Sequence, residues 1–458
     1  MLLSLSRWRC PYTAICHVNV LMILPLATRG LCAGGRRRHG LQHSQLGPLL
    51  LTVQAIRPPA MSRLATCSTL VLHLDRPVSR FLNPEVLAVL RARTQPLQLH
   101  LQWNVEGPQY NIPDLLRFVI GLLRGCTAVH EVVLDGDFSA AELGAWLGAT
   151  IADSFPELST LTLRFGMGYE GLARLMSDPA LQSLALHLDL SQAIVYGPGA
   201  AAFFRAAASL ESLHMDFMDS LEESLHDMPC NWRSLRVGQA DMVALSRLPL
   251  HAVKEEVHIA CLKVVATADN LDAITAAAPC FAVGVPVRPK VDRLHVDIFG
   301  TTDEELAVLA ALQPLSGCTR VVDVVGGDYS AVEVDVFDAD VMEALLPVCQ
   351  GCSELRIRRA ALQLSPEVWH AIVDGVPSIS RVHIHQCFEC DEHVLGSLQE
   401  YVEEHGGRGI DIQVDFFLQS PLGSHEDLRA HDLSLFHFGP LRVCVEEMDW
   451  DNSPFDGV

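Results

Sequence analysis

Histidine and aspartate recur two residues apart in this sequence, as His73/Asp75, His187/Asp189, His214/Asp216 and His295/Asp297. On an extended strand residues two apart share a face, so each pair could pass a proton or offer two ligands to a metal ion. No segment supplies three convergent ligands, however, and polar cover of a solvated face is the simpler role. A second chemistry is written in Gly166-Met-Gly168-Tyr-Glu-Gly171, a G-x-G-x-x-G pattern followed by Asp189. In a dinucleotide fold such glycines let the backbone approach a pyrophosphate and the acid holds a ribose. Yet a dinucleotide-binding strand is buried on both faces, whereas Thr162, Arg164, Ala185 and His187 alternate here with leucines. A third pattern, Cys349-x-x-Cys352 with Cys387-x-x-Cys390, has the look of a divided zinc site. The 34 residues between the halves exceed the usual ribbon spacing, and the thiols fit better as small apolar core residues. No nucleophile elbow, P-loop, HExxH or EF-hand pattern occurs, so catalytic residues, metal and cofactor are all expected to be none, and the chain reads as a non-enzyme.

The elements that would carry these residues repeat. Leu158-Ser-Thr-Leu161-Thr-Leu163 and Leu181-Gln-Ser-Leu184-Ala-Leu186 place apolar residues at positions one, four and six, 23 residues apart. Taking the fourth position as a marker, the phrase recurs at Leu70, Leu99, Val132, Leu161, Leu184, Leu213, Leu235, Val257, Leu294, Val322, Leu355, Val382, Ile412 and Leu441, at intervals of 22 to 37 residues. Each marker sits in a short alternating segment, the signature of a strand with one buried face. Helical spacing of apolar residues falls between them, over Pro84–Leu90, Asp114–Leu123, Ala141–Ile151, Leu172–Met176, Thr302–Leu312, Asp340–Leu346, Pro366–Val373 and Asp391–Val402. Asn83, Ser365 and the Thr302/Glu305 pair are placed to cap three of them.

Strand and helix in alternation predict an α/β fold with parallel strands and right-handed crossovers. With L-x-x-L-x-L phrases at these intervals, the chain over residues 61 to about 445 resembles the leucine-rich repeat proteins, most closely their ribonuclease-inhibitor-like and F-box-containing subclasses. The resemblance implies a solenoid of about 14 degenerate units, a horseshoe or arc with strands on the concave face and helices on the convex face. It also implies a protein-interaction scaffold that binds partners on the concave side. The alternatives are a substrate-recognition adaptor of a ubiquitin ligase and a nucleotide-binding enzyme using Gly166–Gly171. The family's Asn or Cys at the ninth position of the phrase is matched only by Asn104 and Cys387. The interval before Leu294, with Pro279, Pro286 and Pro289, predicts an insertion or a kink at 279–290.

Charge narrows the partners. The chain has 458 residues and a net charge of -22, while residues 1–60 carry seven Arg and no acid. The body is therefore strongly acidic, which disfavours nucleic acid and anionic membrane and steers a protein with a basic surface toward it. Residues 1–60 read as a disordered leader or targeting extension and 446–458 as an acidic tail. A cytoplasmic location is expected, or an organelle if the leader is a targeting sequence. Fourteen cysteines in a chain of this length are too sparse for a disulfide framework.

On the concave face the residues placed to meet a partner are His187, His214, Asp216, His295, Asp297, Arg356, Arg358, His383, His385, Gln413 and Asp415. If Leu355, Val382 and Ile412 are equivalent, Arg356, His383 and Gln413 form one row, and Arg358, His385 and Asp415 the next. A paired Arg fork there would hold a partner's carboxylate. On this reading both arginines are solvated, and replacing them leaves the melting temperature unchanged.

Overall fold

The computed structural model describes residues 15–16, 61, 64–74, 81–103, 112–136, 144–218, 221–299, 302–326, 336–359, 361–362, 365–387, 411–416, 436–438 and 441–447. It is an α/β structure of parallel strands joined by helices, divided into two compact units, Met1–Leu210 and Glu211–Val458.

In the first unit the main strands are β1 Thr69–His73, β2 Leu97–Gln102, β3 Val129–Asp135, β4 Thr160–Arg164 and β5 His187–Leu190. Each pairs in parallel with the next. The markers Leu70, Leu99, Val132 and Leu161 stand side by side in that register and are fully buried. Each such side chain taken out of water is worth about 1.5–3 kcal/mol, so the ladder fixes the register. The fifth marker is a correction. Leu188, not Leu184, pairs with Leu161, 27 residues on. Leu181 belongs instead to a one-turn helix, Pro179–Gln182, begun by Pro179 and capped by Asp178, whose carboxylate accepts from the amides of Ala180 and Leu181. The phrase at 181–186 therefore spells a helix end and a turn.

The second unit holds β6 Ser212–Met218, β7 Ser234–Asp241, β8 Glu256–Ala266, β9 Lys290–Ile298, β10 Thr319–Gly326, β11 Glu354–Arg358, β12 Arg381–Cys387, β13 Asp411–Phe416 and β14 Leu441–Glu447. These also pair in parallel and in chain order. Leu213, Leu235 and Val257 form one apolar row, and Leu294, Val322, Leu355, Val382 and Ile412 another. Between them β8, 11 residues long, changes row: Leu262 and not Val257 lies beside Leu294. The long interval before Leu294 thus reflects a long strand, and β8 and β9 pair across it without a register shift. Pro279 starts a 3-10 turn, Ala278–Phe281, so no kink breaks the pairing there. At the end of the chain Val443, two residues past the expected Leu441, pairs with Ile412, and Phe436–Phe438 runs antiparallel to β14.

Helices lie between the strands where expected at Pro84–Arg91, Ile112–Leu122, Gly144–Ser154, Tyr169–Met176, Asp303–Ala311, Ala339–Cys349 and Pro366–Val373. Four shorter ones were not expected, Pro179–Gln182, Ala200–Ala206, Met242–Ser246 and Leu271–Ala277, because one or two turns carry too little periodicity to read. Asn83 caps its helix through Val86, and Thr302 with Glu305 closes a full capping box. Ser365 makes no side-chain cap bond to its helix. The helix expected at Asp391–Val402 lies outside the described residues. Phe203 and Phe204 in the first unit and Trp232, Phe281 and Trp369 in the second are among the largest fully buried side chains.

Candidate functional site

Among the described residues, the outward face of β8–β12 holds a dense set of ion-paired side chains. Its position is set by alternation: in β9, Val291, Leu294, Val296 and Ile298 are buried, leaving Arg293, His295 and Asp297 on the other side. Parallel register then lines Lys263, His295, Asp323, Arg356, His383 and Gln413 across β8–β13. The next row holds Asp297, Val325, Arg358, His385 and Asp415. The two rows expected at Arg356 and Arg358 are thus present in the backbone register.

The side chains close into a network centred on His295. Its Nε2 lies 2.8 Å from Asp297 Oδ1 and its Nδ1 lies 3.5 Å from Asp323 Oδ2. Arg358 grips Asp323 bidentately, Nε to Oδ1 at 2.7 Å and Nη2 to Oδ2 at 2.6 Å. Lys263 Nζ sits 3.0 Å from Asp297, and Arg293 lies 3.9 Å from Asp323. Asp323 is fully buried, so its charge persists only because these partners replace water. Burial disfavours the His295 imidazolium, but hydrogen bonds to Asp297 and Asp323 outweigh it and raise the ring above its ordinary range. Burial likewise opposes the charge on Asp297 and Asp323, and here bonds from His295, Lys263 and Arg358 prevail, holding both carboxyls below the usual range.

A general base needs a ring nitrogen free to accept a proton, and both nitrogens of His295 face carboxylates. A metal ion needs its ligands to converge on one point, whereas Asp297 and Asp323 take opposite ends of the ring. Cys261, two residues before Lys263, has its thiol pushed up by burial and is no activated nucleophile. Among the described residues no group of three or more His, Cys, Asp or Glu is placed to hold a metal.

Arg358 departs from its expected role. Its Nε–Nη2 edge is bonded to Asp323, an acid of its own chain. Arg356 turns to Glu354, Nε to Oε1 at 2.5 Å. His383 stands beside Arg356 in register; for His385, Gln413 and Asp415 the backbone register alone is described. His214 lies beside Arg236, which has His258 on its other side, at the other end of this unit, with Asp216 exposed. His187 belongs to the first unit, beside Thr160, and is not part of the cluster. Lys263, Arg293 and Asp323 were missed. Asp323 had a readable signal, a lone acid in Val321-Val-Asp-Val-Val, since a charge inside a buried strand demands partners. The first unit carries a smaller relative: His100 Nε2 lies 3.1 Å from Asp135 on the next strand, and burial dominates there, lowering the ring's pKa.

The glycine-rich motif is engaged in packing. Met167–Gly168 pairs with Val195–Tyr196, and the Met167 amide donates to Ile194 O at 2.9 Å. Gly168 begins the helix Tyr169–Met176, whose first turn carries Glu170, a negative charge where a phosphate would have to sit. Asp189 accepts from the Ser191 amide at 2.9 Å, in a local turn. Cys349 and Cys352 are both buried, and the contact with Cys352 together with burial raises the Cys349 thiol, as suits packing. Cys390 lies outside the described residues. No helix among the described residues is long and apolar enough to cross a membrane. Compared with protein-family models and with curated proteins, the sequence matches none.

Proposed function

We propose that the protein is a non-enzymatic interaction scaffold of the leucine-rich repeat type, a solenoid that binds a partner protein on its strand face. The observation that carries this reading is the His295 network: an ordered, ion-paired set of charged side chains on the open side of a parallel sheet. Such a face offers fixed hydrogen-bonding geometry over several strands at little further entropic cost, which is what protein recognition needs. The helices screen the opposite side of the sheet and leave this one to a partner.

The test is affinity purification from native cells with three baits. One is the wild-type chain, one carries Lys263→Glu and Arg293→Glu on the strand face, and one carries Glu304→Lys and Glu343→Lys on the helices. Loss of the same partners with the strand-face bait, and their retention with the helix bait, supports the proposal. Retention by the strand-face bait and loss by the helix bait would overturn it.

A further inference from the structure

We propose that the strand face around Lys263, Arg293 and Arg356 receives an acidic peptide, an extended Asp- or Glu-rich segment of the partner; this rests on the scaffold reading above. In three ion pairs of this face the acid lies beneath and the base outside, whereas His258–Asp292, nearer the start of β8 and β9, has the opposite order. Side-chain exposure is 40% for Lys263 against 17% for its partner Asp297, 45% for Arg293 against 0% for Asp323, and 35% for Arg356 against 12% for Glu354. At these three pairs solvent therefore meets cations, although the chain as a whole carries -22. A buried carboxylate holds each base in place without spending all of its donors. A guanidinium has five N–H groups and an ammonium three. Arg293 reaches Asp323 only at 3.9 Å, Arg356 engages Glu354 through Nε, and Lys263 engages Asp297 through its single nitrogen.

The spacing suits a peptide. Lys263 is on β8, Arg293 on β9 and Arg356 on β11, so the three span about three strand steps, or ~14 Å. An extended segment crossing the strands covers that distance in about four residues, with side chains on one face every ~7 Å. Exposed Phe217 lies in register with Gln239, which in turn lies beside Cys261, one strand from Arg293. It gives an apolar contact at one end of the same face. A nucleic acid fits less well. Its dense charge is repelled at a distance by the acidic chain, whereas a few carboxylates respond mainly to the local face.

Fluorescence anisotropy with the full chain decides the matter, using labelled decaglutamate, labelled decalysine and labelled single-stranded DNA of ten nucleotides. The expected result is binding of decaglutamate that weakens as salt rises from about 50 to about 300 mM. It should weaken at least about five-fold in the folded Lys263→Gln/Arg293→Gln double variant. Arg293→Lys, which keeps the charge, should retain most of the affinity, and it serves as the control if the double variant is poorly folded. No decaglutamate binding, undiminished binding by the folded double variant, or loss of affinity in a folded Arg293→Lys variant equal to that in the double variant would overturn the proposal. Tighter binding of DNA with the same dependence on Lys263 and Arg293 would do so too. If decaglutamate fails while cellular partners still depend on the strand face, the acidic-peptide proposal falls alone; if partners ignore that face, the scaffold reading falls first.

Discussion

Asp323 is the residue on which the cluster turns. It is fully buried, gripped by Arg358 and faced by His295. Removing Arg358 strands that charge, so Arg358→Ala is expected to lower stability by about 2–3 kcal/mol in urea unfolding. That is below the ~3–5 of a wholly buried pair, because the arginine is a third exposed. Arg356→Ala, whose base is likewise partly exposed but whose acid Glu354 also meets Arg381, should change stability by about 0.5 kcal/mol or less. Equal effects of the two would contradict the pairing. Protonation separates the groups further. His295 has a raised folded pKa, so its contribution is complete below the unfolded value of 6.5 and is lost as pH rises through the folded value. Asp297 and Asp323 are depressed from 3.8, so theirs is present above 3.8 and lost as pH falls through the folded values. Stability should therefore be highest between about pH 4 and 6.5 as far as this network is concerned. His295→Gln should flatten the decline above 6.5, which equilibrium unfolding across pH will show. His100, whose pKa is lowered, should titrate below 6.5 in a histidine NMR series while His295 titrates above it.

At the scale of elements, the sequence could be read wherever an apolar row met a long helix with a cap. Leu70 to Leu161 and Leu294 to Ile412 were legible because a one-residue slip would turn each strand inside out. Leu184 misled because a proline-started single turn inserts leucines at strand-like spacing, and Val257 misled because β8 runs through two rows. The cluster itself was half legible: His295, Asp297 and Arg358 stood out, while Lys263 could be placed only once Leu262 was known to be the aligned residue. Backbone approach was not legible at all. Gly238 lies so close to its neighbour strand that an added Cβ would meet Asp216 O at 2.5 Å. Gly238→Ala should therefore destabilise by about 1–3 kcal/mol through forced separation of β6 and β7. Thr302→Ala, which removes the capping box of Asp303–Ala311, should cost about 1 kcal/mol. Thermal melts of the two variants, with Gly238→Ala the lower, provide the check.

For the whole molecule the central claim is that the open side of the strands, and not the helical side, meets the partner. Net charge alone pointed to a basic partner, because composition averages over faces; burial of Asp297, Asp323 and Glu354 beneath Lys263, Arg293 and Arg356 makes one face differ from that average. Only register and depth carry that information, and neither is in composition. The most direct measurement is photocrosslinking in native cells with benzoylphenylalanine placed at Phe217, an exposed aromatic on the strand face, or at Glu304, an exposed residue of the helix Asp303–Ala311. Replacement at Phe217 conserves shape and aromaticity, so folding should be undisturbed. Discrete partner adducts from position 217, abolished by Lys263→Gln/Arg293→Gln and missing from position 304, are the predicted result. Adducts from position 304 with none from position 217 would contradict it.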